Sequence, residues 1–324
     1  MHARLAVASI LALGVAALPP PGFAQTGIKF PSSPMRLVTS SAGSQTDIIT
    51  RLIGSKLSES MGQPVVIENR AGAGGTIAAA TVAKATPDGH TLLLQSPQFA
   101  IGAALNPNLP YDALKDFAGV TRVGFSTVVL AVSPSLGVKS VKELIALAQS
   151  RPGQLFYSSS GAGSSMHMNA ERFRVAAGVK AAHVGFKSPP EALVEVMAGR
   201  VQWTLPGLGP VLPLIKDGKV IALAVLTPQR SPLLPDVPAM VEVIPGYERD
   251  GSYSMSAPAR TPRSVLSLLS TVVGRILALP DMKERLQTMG FAPAPTTPEE
   301  QDRILRADIE TFTRVARLAG LRAQ

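Results

Sequence analysis

The stretch from Tyr157 to His167, YSSSGAGSSMH, concentrates serine hydroxyls and glycine amides just ahead of a run that is typical of a helix. Residues of these types suit a serine nucleophile, a phosphate cradle, a metal ligand set or a seat for another anion. A nucleophile at Ser164 or Ser165 would need His167 as its base, but side chains this close together at a helix start rarely align for attack. Neither serine has the Gly-x-Ser-x-Gly flanks of a nucleophile elbow. The sequence therefore favours a non-catalytic role.

The sequence also gives little support for a metal site or a phosphate loop at this stretch. His167 and Glu171 have the i, i+4 spacing that can share a metal ion, but a third ligand is not evident. The Gly-Lys-Ser/Thr sequence of a phosphate loop is missing. A loop of small residues entering a helix still presents unpaired N–H groups and the positive end of the helix dipole, which together bind anions. An ordinary serine-rich helix cap would have the same sequence, so both interpretations stay open.

A second stretch of the same form begins at Thr39 and reads TSSAGSQTDIITRLIG. It follows a predicted strand and opens a predicted helix, and Asp47 lies where an acidic residue caps or complements the helix start. In open α/β sheets, ligands bind at the carboxyl ends of strands, where both loops would lie. Two such loops in two halves of the chain favour one anion bound between them.

The glycine-rich stretch ENRAGAGGTIAAA, which begins at Glu68, has the form of a dinucleotide-binding turn. Ile77 occupies the position of its last glycine, so the sequence predicts a tight turn with close helix packing instead. Trp203 is the only tryptophan. It lies in a strand-like run, and we expect it in the core.

Composition narrows the function classes. The formal net charge is +9, but the basic residues are scattered and aromatic residues make up only 5% of the chain. Nucleic-acid recognition would need a basic stripe with stacking side chains, so we expect no nucleic-acid partner. The chain contains no cysteine, which excludes disulfides, thiolate metal sites and thiol catalysis.

The first 24 residues have the pattern of a secretory signal peptide, with Arg4, an apolar run and a small-residue site that ends at Ala24. The apolar run is shorter than the ~20 residues that span a bilayer, and no later segment is long and apolar enough to do so. We therefore expect an exported, soluble protein, and the length of the mature chain favours two domains.

Short apolar runs alternate with capped helical patterns, which predicts an α/β fold with mixed, mainly parallel sheets flanked by helices. Helix starts are predicted at Ser140, Ser188, Pro262 and Thr297. The polar stretches 122–127 and 246–256 are candidate linkers. They divide the mature chain into a discontinuous domain 1 (25–124 plus 254–324) and a domain 2 (125–253).

Several stretches together resemble the Bug, or TctC-like, extracytoplasmic solute receptors, which are the substrate-binding proteins of tripartite tricarboxylate transporters. Each stretch is weak evidence alone, but they run in family order over nearly the whole mature chain. They are GQPVVIENRAGAGG (62–75), PDGHTLLL (87–94), NLPYDALKDFAGV (108–120), SVKELIALAQSRPGQLFYSSSGAGSSMH (140–167), RSPLLPDVPAMVEVIPGYE (230–248) and APARTP (257–262).

The resemblance implies a two-domain periplasmic binding protein of type II-like fold that closes over a small carboxylate-containing ligand in an interdomain cleft. It also implies a first ligand-binding loop, a second one, and a wall completed by residues after the strand ending at Gln95 and around Val184. The ligand-binding residues carried over by position are Ser40, Ser41, Gly43, Ser44, Thr46, Asp47, Gln95, Ser96, Ser160, Gly161, Ala162, Gly163, Ser164, Ser165, His167, Phe186, Lys187 and Pro206.

The chain departs from the family pattern at three places. The prolines of the usual Pro-Pro-Gly-Gly-x-x-Asp loop are replaced by Ser40 and Ser41, and the usual Pro-Tyr-Lys-Gly reads Gly185-Phe186-Lys187-Ser188. Gln202 stands where an aspartate is common. This loss of charge leads to the hypothesis that the site disfavours ligands with an amino group.

The sequence thus predicts a periplasmic receptor and not an enzyme. We expect no cofactor and no metal, a small organic acid as ligand, membrane permease subunits as partners, and a monomer. Two alternatives remain: a secreted α/β serine hydrolase using Ser164 or Ser165 with His167, and a receptor that signals to a membrane sensor instead of a permease.

Overall fold

The computed structural model describes residues 30–247 and 251–321 of the chain. The predicted signal peptide, residues 1–24, lies outside the described residues. Two β-sheets flanked by helices build the described part, as the sequence predicted. The strands are β1 (Met35–Thr39), β2 (Val65–Asn69), β3 (Thr91–Gln95), β4 (Phe117–Ser126), β5 (Val129–Val132), β6 (Leu155–Ser159), β7 (Ala181–Gly185), β8 (Trp203–Thr204), β9 (Ile221–Val225), β10 (Tyr253–Pro258) and β11 (Phe291–Pro293).

Helices connect most of the strands. They are α1 (Gln45–Met61), α2 (Thr76–Ala83), α3 (Gln98–Leu105), α4 (Val141–Ser150), α5 (Ser165–Ala177), α6 (Pro189–Met197), α7 (Leu208–Lys216), α8 (Met240–Val243), α9 (Arg263–Ala278), α10 (Pro280–Thr288) and α11 (Pro298–Ala319).

The predicted helix starts are confirmed, because each depends on a local cap. The hydroxyls of Ser140, Ser188 and Thr297 accept the backbone N–H three residues further along, and α9 starts just after Pro262. At Ser140 the Glu143 carboxylate also contributes, because it accepts the N–H of Lys139, the residue before the cap. Local sequence therefore places these helix starts correctly.

The first sheet has the strand order β11-β4-β10-β3-β1-β2 and the second has the order β7-β6-β8-β5-β9. Among the described strands, four pairs are parallel and five are antiparallel. The sheets are therefore mixed, as predicted, but they are not mainly parallel. Antiparallel pairs dominate wherever the chain leaves one sheet for the other, at β4, β5, β9 and β10.

Each of the two predicted linkers contains part of a strand. Residues 122–126 end β4, and residues 253–256 begin β10, which pairs with β4 in antiparallel register. Polar side chains misled the prediction here, because they are satisfied inside the sheet: the Arg122 side chain, for example, donates to the Ala294 carbonyl at 2.7 Å.

The chain passes from the first sheet to the second between Ser126 and Val129, and returns between Val225 and Tyr253. This course agrees with a division near residues 124 and 254, but the two domains with those boundaries stay a prediction.

Apolar clusters pack on the faces of both sheets. On the second sheet, Tyr157, Phe173 and Trp203 lie in one core, and Trp203 stacks on Tyr157, as expected for a core tryptophan. A separate core beneath α6 and α7 contains Val196 and Leu208. No single helix among the described residues is long and apolar enough to cross a membrane, although α9 and α10, bent by 74°, pass that test together by length and composition.

Candidate functional site

The first loop joins β1 to α1 and is shaped by a short set of hydrogen bonds. Ser44 caps α1, because its Oγ accepts the Asp47 N–H at 3.2 Å, and its own N–H donates to the Ser41 carbonyl. Gly43 has a φ of +73°, a conformation that favours glycine, and its N–H donates to the Asp47 carboxylate at 2.9 Å. The loop is thus closed onto the first turn of the helix that follows it.

The second loop, between β6 and α5, repeats this geometry 120 residues later in the chain. Ser164 caps α5 by accepting the His167 N–H at 3.2 Å, and its own N–H donates to the Gly161 carbonyl. Gly163 has a φ of +72°, and its N–H donates to His167 Nδ1 at 3.0 Å. Both cap serines have the same backbone angles, φ −70° and ψ 160°.

The equivalence extends to the groups left free for a ligand. In the described part of the chain, the N–H groups of Ala42, Gln45 and Thr46 have no protein acceptor, and neither do those of Ala162, Ser165 and Met166. Each set comprises one loop amide and the first two amides of a helix. Such amides, together with the positive end of the helix dipole, form an anion-binding arrangement.

Asp47, in the first turn of α1, holds the first loop in place through its carboxylate. Its carboxylate is only 3% exposed and also accepts hydrogen bonds from Asn69 at 2.8 Å and from Arg51 at 3.1 Å. Burial by itself would raise the pKa of Asp47, but the hydrogen bonds from Asn69, Gly43 and Arg51 outweigh it and lower the pKa below its ordinary value. The charge of Asp47 is therefore committed to the loop.

His167 plays the corresponding part beneath the second loop. Its ring is only 2% exposed and stacks on His183, with ring centroids 3.9 Å apart. Burial, followed by the neighbouring His183, lowers the pKa of His167 to about 4, so the ring is neutral near pH 7 and its Nδ1 can accept from Gly163. Tyr157, which donates to the buried Glu171, closes this cluster.

A cavity of about 940 Å³ opens between the two loops. Five of the predicted site residues line it, namely Gly43, Ser160, Ser164, Ser165 and Pro206. Residues of both sheets thus meet around one space, at the carboxyl ends of their strands, which is where ligands bind in open α/β sheets. The described residues that line it carry no charged side chain.

Most of the cavity wall was not predicted. Gln98 of α3 reaches across it, donating to the Gly163 carbonyl at 3.1 Å and accepting from the Ser165 hydroxyl at 3.4 Å. Gln45 donates to the Met289 carbonyl at 3.2 Å. The remaining unpredicted lining residues are mostly apolar: Ile48, Met166, Pro189, Pro190, Leu193, Val194, Met197, Gly207, Gly209, Pro210, Val211, Leu214 and Thr288. The one sequence signal for them is the apolar spacing of α6 and α7.

Three further predicted residues, Ser40, Gln95 and Ser96, line a separate small cavity of about 40 Å³ that shares Gln98 with the large one. Gln95 is buried and its side-chain amide donates to the Ser254 hydroxyl at 3.0 Å, but its Oε1 accepts no hydrogen bond from the described residues. A space of this size holds a water molecule, which would satisfy that oxygen.

The other predicted residues do not line either cavity. Asp47, Gly163 and His167 support the loops through the bonds described above. Phe186 packs on the core under α6 and α7, and Lys187 is exposed, with its N–H bonded to Glu191. The residues outside both cavities are Ser41, Ser44, Thr46, Asp47, Gly161, Ala162, Gly163, His167, Phe186 and Lys187.

The structure also shows which hydroxyl and imidazole groups meet, which matters for the serine nucleophile and the metal site considered above. The hydroxyl–imidazole contact lies at Ser159 and His183, 2.7 Å apart, and Ser159 is fully buried. The Ser164 hydroxyl instead accepts the backbone N–H of His167. Within residues 30–247 and 251–321, no group of three or more histidine or acidic side chains could hold a metal ion.

Gln202 has a structural role away from the cavity. Its Oε1 accepts the Phe156 N–H at 2.7 Å, and its own N–H donates to the Phe156 carbonyl. Phe156 lies near the start of β6, whereas the second loop follows the end of that strand. The Gln202 side chain therefore does not line the cavity, and the hypothesis that the lost charge disfavours ligands with an amino group stays a prediction.

Known proteins share this architecture. A profile of the family described as tripartite tricarboxylate transporter family receptor, TctC, matches residues 49–321. Protein BugT of Bordetella pertussis is 32% identical over 295 residues, which are 90% of this chain and 90% of that protein.

Solved structures agree. Rpa4515 of R. palustris, solved with adipate, is 34% identical, with a TM-score of 0.76 over 90% of this chain and 98% of that one. MatC of Rhodopseudomonas palustris, with bound malate, is 29% identical, with a TM-score of 0.70 over 88% and 99%. The fold is that of the two-domain periplasmic binding proteins, and the chain belongs to the TctC family of solute receptors.

Proposed function

We propose that this protein is a periplasmic receptor that captures a small organic acid between its two equivalent loops. The observation that carries the proposal is the pair of loops itself, since each leaves three amides at a helix N-terminus without a protein acceptor among the described residues, and each brings residues to one cavity whose lining side chains are uncharged. Adipate in one relative and malate in another support a carboxylate as the ligand class.

The geometry binds a carboxylate without a cationic side chain. The backbone of each loop is held by the bond from Gly43 to Asp47 or from Gly163 to His167, so little ordering cost falls on the protein when the ligand arrives. Hydrogen bonds to an ionised acceptor are stronger than those between neutral groups. Ser160, Ser164 and Ser165 add hydroxyls at the same end of the cavity.

Capture ends with closure of the two proposed domains, 25–124 plus 254–324 and 125–253, by a hinge motion at the strand crossings. The signal peptide over residues 1–24 would deliver the protein to the periplasm. The closed, loaded receptor would then dock on the membrane permease subunits of a tripartite tricarboxylate-type transporter and act as a monomer without bond chemistry.

Binding can be tested on the purified protein. Native mass spectrometry would reveal a co-purified acid, and calorimetric titration with adipate and malate would measure affinity. A ligand at 100 times its Kd adds about 2.7 kcal/mol to the free energy of unfolding, which a denaturation curve resolves. Turnover of ester substrates with covalent labelling of a serine, and no binding of any acid, would contradict the proposal.

The transporter partnership needs a separate experiment. Cells that lack this protein should lose saturable uptake of the identified labelled acid and regain it with the wild-type gene. Unchanged uptake, together with loss of a transcriptional response to the acid, would point to signalling instead.

A further inference from the structure

The cavity continues beyond the polar loops as an apolar groove, which we define by two helices, α6 and α7. On α6 the lining residues are Pro189, Pro190, Leu193, Val194 and Met197. The last four have the spacing i, i+3, i+4 and i+7, which places them on one face of the helix. Since α6 rises ~1.5 Å per residue, this face runs for about 10 Å.

The facing stripe on α7 has the same spacing. Gly207, Pro210, Val211 and Leu214 line the cavity at i, i+3, i+4 and i+7. Gly207 is the N-cap of α7, and its amide nitrogen is bonded to Pro206, which also lines the cavity. Beyond it, the stripe contains only apolar side chains.

The groove has a floor and a rim. Leu193 and Val211 are buried and form the floor, while Pro190, Val194 and Pro210 are exposed. Val194 is 47% exposed, and Ile48 of α1, which also lines the cavity, is 42% exposed. Large apolar side chains exposed together in a cavity wall mark a surface that a ligand covers.

We propose that the ligand is a monocarboxylic acid with an extended apolar body, whose carboxylate lies at the two loops and whose body fills the groove between α6 and α7. This inference rests on the proposed function, because it needs the carboxylate at the loops. The far part of the groove, around Met197 and Leu214, has no charged or hydroxyl side chain, so a second carboxylate there would be desolvated without a partner. The occupant is the ligand's own apolar body because the groove and the anion-binding end form one continuous cavity.

A chain-length series tests the inference. Straight-chain monocarboxylates from butanoate to decanoate would be titrated by calorimetry below their micelle concentrations. We expect affinity to rise about fourfold per methylene until the groove is full and then to level off. Dicarboxylates of matched length should bind at least tenfold more weakly. Affinity that does not depend on length, or an equal preference for the dicarboxylates, would overturn the inference.

A pair of variants locates the effect. Val194→Gln should weaken decanoate at least tenfold and butanoate by a much smaller factor, because the longer acid extends further along α6. Val66→Gln is the matched control, since Val66 is 54% exposed but lies on the edge strand β2, outside the cavity. Equal effects of both variants would refute the groove assignment. If no monocarboxylate of the series binds, decanoate included, and adipate and malate also fail, the proposed function fails; if acids bind without gain from length, only this inference fails.

Discussion

Replacement of Ser164 by aspartate separates binding from folding at the second loop. Ser164 lines the cavity and caps α5 through its Oγ, which accepts the His167 N–H at 3.2 Å. Aspartate is as good a helix cap as serine, and a negative charge at a helix N-terminus is favourable by about 0.3–1 kcal/mol. Ser164→Asp should therefore keep or slightly raise the free energy of unfolding.

The same charge should strongly weaken carboxylate binding. Two unit negative charges about 5 Å apart repel by about 3 kcal/mol at an effective dielectric constant of ~20. Since 1.4 kcal/mol corresponds to a factor of ten, affinity should fall roughly 100-fold. The loss should shrink at high salt, because part of the repulsion is screened.

Calorimetric titration and urea denaturation on the same preparations make the measurement. Ser164→Asn caps the helix without adding charge and should lose much less affinity than Ser164→Asp. Ser140→Asp places the same charge on the cap of α4, which is outside the cavity, and should bind like the wild type. Wild-type affinity in Ser164→Asp, or an equal loss in the Asn and Asp variants, would refute the electrostatic account of the site.

Two further predictions concern the bonds that hold the loops. Because the pKa of His167 is lowered from 6.5 to about 4, its contribution to stability is present above pH 6.5 and is lost as pH falls to about 4, by at most about 3 kcal/mol. In urea denaturation, the free energy of unfolding should fall less between pH 7 and pH 4.5 for His167→Gln than for the wild type. An equal fall in the two proteins would contradict this. Asp47→Asn removes the charge that accepts from Gly43 and Asn69 and should cost about 1–3 kcal/mol near pH 7. Because folding lowers the pKa of Asp47, this stability difference should be complete above the ordinary pKa of an aspartate and should fade as pH falls through the lowered pKa of the folded state. A variant as stable as the wild type at pH 7 would show that Asp47 does not hold the loop.

Sequence alone identified the features that depend on near neighbours. The caps at Ser140, Ser188 and Thr297 are local hydrogen bonds, so they could be predicted from residue type and spacing. The same holds for the two small-residue loops at helix starts, which bring Gly43 and Ser164 to the cavity. The alternation of strand-like and helical patterns predicted the α/β architecture, and the family resemblance added the receptor class.

Only the tertiary structure decided which groups face a ligand. His167 and Asp47 were predicted to touch it but are buried, because each satisfies a loop amide from below. Gln98 was missed, because its partner Gly163 is 65 residues away in sequence. The predicted linkers included the end of β4 and the start of β10 for the same reason: strand pairing is non-local, and polar side chains conceal it.

The geometric match between the two loops shows what the sequence could predict and what it could not. Their sequences, TSSAGSQTD and SSGAGSSMH, already indicated that each could bind an anion, because glycine, serine and a following helix make such a site locally. That Asp47 and His167 perform equivalent tasks could not be predicted, since a carboxylate and an imidazole have little in common by type. Folding makes them equivalent because each is buried at the same point of a helix turn and accepts the N–H of a glycine with positive φ.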